Sequence, residues 1–443
     1  MFDSQLTSLA QLDILDAAHR SLNVEQWVTA NGTQVLFAPV PQLPMFDLVL
    51  DFDAGSARDG HQPGLAAATL GMLEEGLSDM DAAAIAETFD ALGARLANDI
   101  GRDYATLSLR CLSSATQRER AVALLARLLS EPLLAEQPLE QIKGQLLNGL
   151  YQRYLDPEQR LKDTAHRELY AGHPYALPSF GRTATVKTLE ARDLQAFHQR
   201  YYTARNLRIS LVGNLTRTEA EVLVEHLTAM LPAGERAGEI AIPDVYGGNT
   251  LRIATAGGSN TQLLIALPAV ERSHPDYPAL ALGNRLFGGG RQGWLYQELR
   301  ARRGLAYSVA SSFEPLAGQG WYRVQWSIAA AYAEASQDRV RALLQQFLQD
   351  GPQSSEVQLA QQQAIAAAPL EAASNAQILK RLVTVNRYGL ALPQVEDQAW
   401  DVRELTATQI RDAMARALDP STLLQASLGP TVEQQDLPEP QAK

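Results

Sequence analysis

A stretch with neither helical nor strand period divides this chain near its middle, and the elements on either side of it repeat in the same order. Residues 232–249 are rich in Gly and Pro and read as a linker. Ahead of it, residues 46–52 predict a strand and 64–75 a helix. A second helix starts at Asp81, with Ile85, Phe89 and Leu92 at spacings of four and three. Residues 104–112 then alternate Ala105, Leu107, Leu109 and Cys111 against Thr106, Ser108 and Arg110, the pattern of a half-buried strand. Beyond the linker, 261–267 predicts a strand, 277–287 a helix, 294–303 a short helix, and 307–313 and 322–328 two further strands. Matching elements lie roughly 215 residues apart, which a duplicated domain explains. Long helical stretches (118–130, 334–349) close each half.

Runs of strands mixed with runs of helices, without strict alternation, predict an α+β fold. It consists of two similar duplicated domains, each a mostly antiparallel sheet packed with helices. The expected division is 1–231, the linker 232–249, 250–430, and a tail 431–443 that reads as disordered from Asp436, with Pro438 and Pro440. The chain's 443 residues are ample for this, at about 100–200 residues per domain.

Charge narrows the partners. Against 38 Lys+Arg stand 50 Asp+Glu, a net charge of −12, which opposes a nucleic-acid partner or a polybasic membrane patch. The single cysteine, Cys111, excludes an internal disulfide and a thiolate zinc site, and suits cytosol and oxidising compartments alike. No apolar run reaches the ~18–20 residues of a membrane span. Met1 is followed by Phe2, Asp3 and Ser4 with no basic stretch ahead of an apolar one, so the chain reads as cytosolic or as a mature form.

Few motifs carry chemistry. Gly288-Gly289-Gly290, after Leu286-Phe287, lacks the Lys-Ser/Thr of a P-loop and the G-x-G-x-x-G spacing; it reads as a turn between helices, and nucleotide binding is rejected. Arg300 falls in the last turn of a short helix that Gly304 can terminate, and Tyr307 opens the next strand. Their two donors either converge on one oxygen, or Arg300 completes a cationic helix end and Tyr307 is half-buried core. His166 and His173 lie seven residues apart, but Gly172 and Pro174 put the second in a turn, and no further ligand completes a set. Glu74 and Glu75 are adjacent and point to different helix faces, and Cys111 lies within a strand with no motif around it.

Read together, several segments resemble the pitrilysin/insulinase family, the inverted-motif zinc peptidases. Gly55-Ser56-Ala57-Arg58-Asp59 followed by Gly64-Leu65-Ala66 is similar to the family's lead-in to its zinc helix. Gly172-His173-Pro174-Tyr175-Ala176, then Gly181, resembles its central turn. Phe197, Tyr201-Tyr202, Asn206-Leu207 and Leu211-Val212-Gly213-Asn214-Leu215 resemble the close of its first domain. Phe287-Gly288-Gly289-Gly290, Leu295-Tyr296-Gln297-Glu298-Leu299-Arg300 and Gly304-Leu305-Ala306-Tyr307 resemble its second-domain signature. The likeness spans about residues 24–430.

One departure governs the activity that the resemblance implies. Active members carry His-x-x-Glu-His just after the Gly-Leu-Ala lead-in. Here those positions fall on Ala67, Leu70 and Gly71, and the family's third ligand, a Glu, falls at Asn148 or Gly149. None of the first three side chains donates to zinc or moves a proton, so the chain is expected to hold no metal and to be inactive alone. Arg300 and Tyr307, by contrast, match at a spacing of seven the Arg/Tyr pair that the family's second half brings to the substrate carbonyl.

The resemblance therefore implies the non-zinc subunit of a heterodimeric zinc metallopeptidase, with zinc in a relative that bears the motif and a peptide as substrate. The turn at Gly288, Gly289 and Gly290 would lie beside the substrate. A catalytically silent structural or interaction protein of the same fold is the alternative, and a homodimeric peptide-binding module a third reading. The resemblance also implies a periplasmic mature chain, with cytoplasm as the alternative. If acidic groups line a peptide chamber, cationic peptides are favoured there and salt weakens their capture.

Overall fold

The computed structural model describes residues 22–244, 248–368, 370–392 and 402–440. The first half builds a six-stranded sheet from β1 (Glu25–Val28), β2 (Gln34–Pro39), β3 (Met45–Phe52), β6 (Arg95–Ile100), β7 (Ala105–Leu112) and β8 (Leu207–Gly213), while β4 (Gly76–Leu77) and β5 (Met80–Asp81) form a small separate hairpin. The second half builds a five-stranded sheet from β9 (Thr250–Thr255), β10 (Asn260–Pro268), β11 (Val309–Glu314), β12 (Trp321–Ala329) and β13 (Leu424–Pro430). Sheet orders are β1-β2-β8-β3-β7-β6 and β9-β13-β10-β12-β11. In each, one parallel pair (β2 with β8, β13 with β9) joins otherwise antiparallel ladders. The α+β class and the two similar, antiparallel-rich domains are thus as the sequence predicts.

The helices of the first half are α1 (Leu65–Met72), α2 (Ala82–Ala91), α3 (Ala115–Ser130), α4 (Glu136–Leu155), α5 (Pro157–Leu169), α6 (Thr183–Val186), α7 (Ala191–Tyr201) and α8 (Arg217–Ala229). Those of the second are α9 (Tyr277–Phe287), α10 (Trp294–Tyr296, continued as a π-turn segment over Gln297–Arg302), α11 (Ala333–Asp350), α12 (Ser354–Ala367), α13 (Asn375–Tyr388) and α14 (Ala407–Ala417). Local chemistry sets several boundaries. The Asp81 carboxylate caps α2 by accepting from Ala84 N–H, and Thr216 and Glu219 form a capping box on α8.

Strand alternation points side chains to both faces, and both faces of each sheet are buried. In the first sheet, Val35, Phe37, Leu48 and Leu50 face a core with α1, α3, α7 and α8, while Leu36, Ala38 and Val212 face Ile378, Leu379, Leu382 and Val385 of α13. In the second, Leu263, Ile265, Val324 and Trp326 face α9, α11 and α14, while Leu264, Ala266, Trp321 and Ala426 face Leu161, Ala165, Leu169 and Tyr170. Each half therefore lends a helix to the other's sheet: α13 covers the first, α5 the second.

Polar contacts fix the loans. Arg387 of α13 pairs with buried Asp51 of β3 at 2.7 Å and lies 3.4 Å over the Tyr104 ring. On α5, Lys162 pairs with Glu314 at 3.0 Å, and just beyond its end Tyr170 Oη donates to Gln319 O. His166, 1% exposed, packs edge-on against Trp321, and its Nδ1 contacts Tyr175 O at 3.1 Å. Beside it, Asp103 accepts from Tyr175 Oη and from Ala317 N.

Two expectations are corrected. Strand β11 begins at Val309, so Tyr307 stands in the preceding loop. Gly304 turns there with φ +65°, and the N–H groups of Leu305 and Ala306 return to Leu299 O, delaying the strand. The tail from Asp436 is also placed, as far as Pro440. Gln434 Nε2 donates to Ala330 O, Gln435 N to Ala331 O, and Arg303 to Pro438 O, so hydrogen bonds to backbone carbonyls hold a segment whose composition reads as disordered; 441–443 lie outside the described residues.

Two outcomes follow from the lent helices. Arg387→Leu leaves Asp51 buried without its cation, and should cost about 3–5 kcal/mol in urea unfolding, with Asp51→Asn added to it restoring part of the loss. Burial, with the charges of Arg102, Lys162 and Arg323, holds the His166 pKa well below 6.5. The unfolded chain thus binds a proton below about 6.5 that the folded chain refuses, so this stability is full above that pH and falls as pH drops, by up to about 1.4 kcal/mol per unit. His166→Phe leaves Tyr175 O bonded to Arg102 Nε; it should flatten the pH dependence of the urea midpoint between pH 6.5 and 5 by about one proton's worth.

Candidate functional site

The first-half helix α1 is the place to test for metal. Its residues are buried except Gly71, with Ala67 at 6% and Leu70 at 2% exposure. A Cβ on Gly71 would already meet the Ile142 side chain of α4 at 3.4 Å. An apolar helix buried all round is a core element. The Asp59 carboxylate starts it, accepting from Gly64 N at 2.7 Å and Ala66 N at 2.8 Å, while burial pushes that carboxyl up to about 7 against those bonds. Asn148 and Gly149 are exposed on α4. Zinc does not fit these residues, since Ala67, Leu70 and Gly71 offer no donor atom. Among the described residues no three His, Cys, Asp or Glu side chains stand together as a metal centre requires.

The Arg300 segment of the second half is built differently. Helix α10 is capped by Gly293 after the turn 288–292. The Trp294 indole donates Nε1–H to Glu356 while packing edge-on to Phe347 at 5.0 Å. Glu298, 4% exposed, points inward and binds Arg303 at 3.0 Å and Arg339 of α11 at 2.7 Å. Burial raises its carboxyl, but these arginines outweigh that and hold it below the ordinary glutamate value. Such a charge-assisted hub pins the π-turn segment, and two residues on, Arg300 faces outward.

Arg300 and Tyr307 are brought together. The guanidinium lies over the rings of Tyr296 (5.4 Å) and Tyr307 (5.3 Å), and its Nη1 donates to the Tyr307 carbonyl. Tyr307 is 84% exposed, which removes the reading of it as half-buried core. Arg302 and Arg303 turn back to Glu298, so Arg300 stands apart from the rest of that cationic helix end. The arrangement presents a guanidinium with donors to spare and a phenolic O–H side by side, the equipment for binding an external carbonyl oxygen.

The glycines of the turn are there largely for packing. A Cβ on Gly288 would meet Ser311 Oγ at 2.4 Å and Leu295 Cδ1 at 2.6 Å, and one on Gly289 would meet Arg285 Cα at 2.7 Å. Only at Gly290 is the space open. Ser311 ties the turn to β11, its N–H donating to Gly288 O and its Oγ to Asn284 Oδ1.

Other candidates sit in structural roles. His173 Nδ1 accepts from Tyr175 N, leaving Nε2–H to donate to Ala241 O at 2.9 Å. Glu74 accepts from Asn98, and Cys111 is buried in β7. Sequence reading missed Glu298, Arg339 and Trp294, which hold the Arg300 segment. The available signal was Glu298 standing four and five residues ahead of Arg302 and Arg303.

Known proteins resemble this chain over most of its length. The profile of the insulinase family, peptidase family M16, matches residues 40–182, and that of the peptidase M16 inactive domain matches 188–364. A solved peptidase M16 inactive domain from Pseudomonas fluorescens superposes with a TM-score of 0.90 at 36% identity, covering 94% of this chain and all of that one. A protein of Mycobacterium leprae named an uncharacterized zinc protease is 28% identical over 307 residues, 68% of each chain. A Helicobacter pylori protein named a non-peptidase homolog is 24% identical over 410 residues, 90% of this chain and 93% of that one. With the insulinase family matched over 40–182, the M16 inactive domain over 188–364 and a solved relative 36% identical over 94% of the chain, the chain belongs to the insulinase family, peptidase M16, as a member of its inactive-domain type.

Proposed function

We propose that this chain is the non-zinc subunit of a two-chain metallopeptidase, contributing Arg300 and Tyr307 to an active site whose zinc sits in the partner subunit, a relative that carries the motif. The observation that carries the reading is the exposed pairing of Arg300 with Tyr307 on a segment anchored through Glu298, in a chain whose own α1 holds no ligand. Arg300 keeps donors beyond the one given to the Tyr307 carbonyl. The Tyr307 hydroxyl adds a second, directional donor. Enclosing a peptide over the pair would remove water and strengthen both bonds as charge gathers on the carbonyl oxygen. The turn at Gly288, Gly289 and Gly290 then lets the Arg300 segment approach the peptide. Among the described residues no helix is long and apolar enough to cross a membrane, and the periplasm is the compartment we propose.

A second reading is a structural or interaction protein of the same fold. It draws support from the Arg300–Tyr307 carbonyl bond, which satisfies part of the guanidinium internally, and from the name of the Helicobacter relative.

Reconstitution separates the two. The chain mixed with a zinc-bearing relative should cleave peptides that neither cleaves alone, and Arg300→Ala or Tyr307→Phe should lower turnover of the mixture by about 10²–10³-fold with an unchanged melting midpoint. Full turnover in both variants, or full activity of the zinc chain by itself, gives the structural reading.

A further inference from the structure

Away from Arg300 and Tyr307, a cavity of about 990 Å³ opens between α4, α5, the segment 176–187 and Ile253 of β9. Its charge runs against that of the chain. Among the described residues six cationic side chains line it (Arg102, Arg153, Arg160, Arg167, Arg182 and Lys187), with Asp163 as the one carboxylate, in a protein whose net charge is −12. Asp163 is already taken by Arg153 at 3.0 Å. Among the described residues the other five cations have no carboxylate within ion-pair distance.

Arg102 shows how far this goes. It is half-buried, its Nε donates to Tyr175 O, and no protein acceptor meets its Nη groups among the described residues. Burial draws its pKa below the usual arginine value despite the distant pull of Asp163 and Glu314. A half-buried guanidinium with no counter-ion offers its unfilled donors to an anion that enters the cavity. Arg160, meanwhile, stacks 4.8 Å from the Tyr154 ring, which leaves its hydrogen-bonding edge free.

The same wall is apolar. Leu147, Leu150, Tyr151 and Tyr154 fall on one face of α4 at spacings of three and four. Tyr151 and Tyr154 are 58% and 60% exposed. Exposed aromatic side chains of this size beside a polar rim mark a binding surface. A small anion would meet one or two of the cations and none of the stripe. A chain with carboxylates spaced among apolar side chains meets both.

We infer that this cavity binds an acidic peptide segment, its carboxylates on Arg102, Arg160, Arg167, Arg182 and Lys187 and its apolar side chains on the Leu147–Tyr154 face. The inference stands apart from the peptidase reading, because the site lies wholly within this chain and requires neither a partner nor zinc.

The test uses the full chain alone and a fluorescein-labelled nonapeptide alternating Glu and Leu, followed by fluorescence anisotropy. The acidic peptide should bind, its Lys-for-Glu counterpart should not, and raising salt from about 50 to about 300 mM should weaken binding about tenfold. Arg167 and Arg182 are exposed and make no side-chain bond among the described residues, so the double variant Arg167→Glu/Arg182→Glu should keep the melting midpoint and lose at least about tenfold in affinity. Equal binding of both peptides, or acidic-peptide binding indifferent to the double variant, overturns the proposal. So does inorganic triphosphate binding with the same arginine dependence while the peptide does not, which would make the cavity a small-polyanion site. Each result is read without peptidase activity, so failure here leaves the role of Arg300 and Tyr307 standing, and the converse holds.

Discussion

Both sheets of this protein are apolar on both faces, and that double demand organises everything else. Helices local to each half cover one face, and the other face would be exposed if the halves folded apart. The remedy is reciprocal: α13 reaches back onto β2, β3 and β8, and α5 reaches forward onto β10 and β13. Burying an apolar side chain contributes roughly 1.5–3 kcal/mol, so the rows Leu161–Leu169 and Ile378–Val385 bind the halves more firmly than the coil of 232–244. The Lys162–Glu314 pair and the Tyr170 Oη bond to Gln319 O then fix where α5 sits on the second sheet.

That architecture explains why α1 and the Arg300 segment are built so differently. Helix α1 lies in the thick of the first core, where a polar side chain needs a partner or a metal to offset its desolvation. With Ala67, Leu70 and Gly71 in place, the helix packs directly on α4 and α7 and needs neither. The segment around Arg300 sits at the margin of the second core. There Glu298 takes the inward position and gathers arginines, so the next outward residue can be charged without destabilising anything beneath it.

Much of this was legible beforehand, and what was not has physical causes. Element order, the duplication and helix α9 follow from local periodicity, and α9 runs over the residues that periodicity indicates. The exchange of α5 and α13 did not, because an amphipathic helix carries the width of its apolar face and no record of which sheet it covers. Tyr307 was readable as core only because Val309 onward alternates like a strand; the left-handed turn at Gly304 delays the strand and leaves the ring in solvent. Once the family resemblance had located the zinc-motif positions, residue identity alone showed that Ala67, Leu70 and Gly71 stand there.

The cationic cavity was illegible for a related reason. Net charge averages over a surface, whereas binding depends on the few charges that share a concavity. Arg153, Arg160 and Arg167 recur every seven residues, a spacing that would align them on a single helix, but the chain breaks at Asp156 between α4 and α5. Only the fold adds Arg102 from the β6–β7 turn and Arg182 and Lys187 from beyond α5 to the same wall. The excess of acidic residues lies elsewhere, so the long-range field repels anions while the local one collects them. A ligand therefore gains entry by short-range matching of several carboxylates at once, a condition that selects for their spacing as much as for their charge.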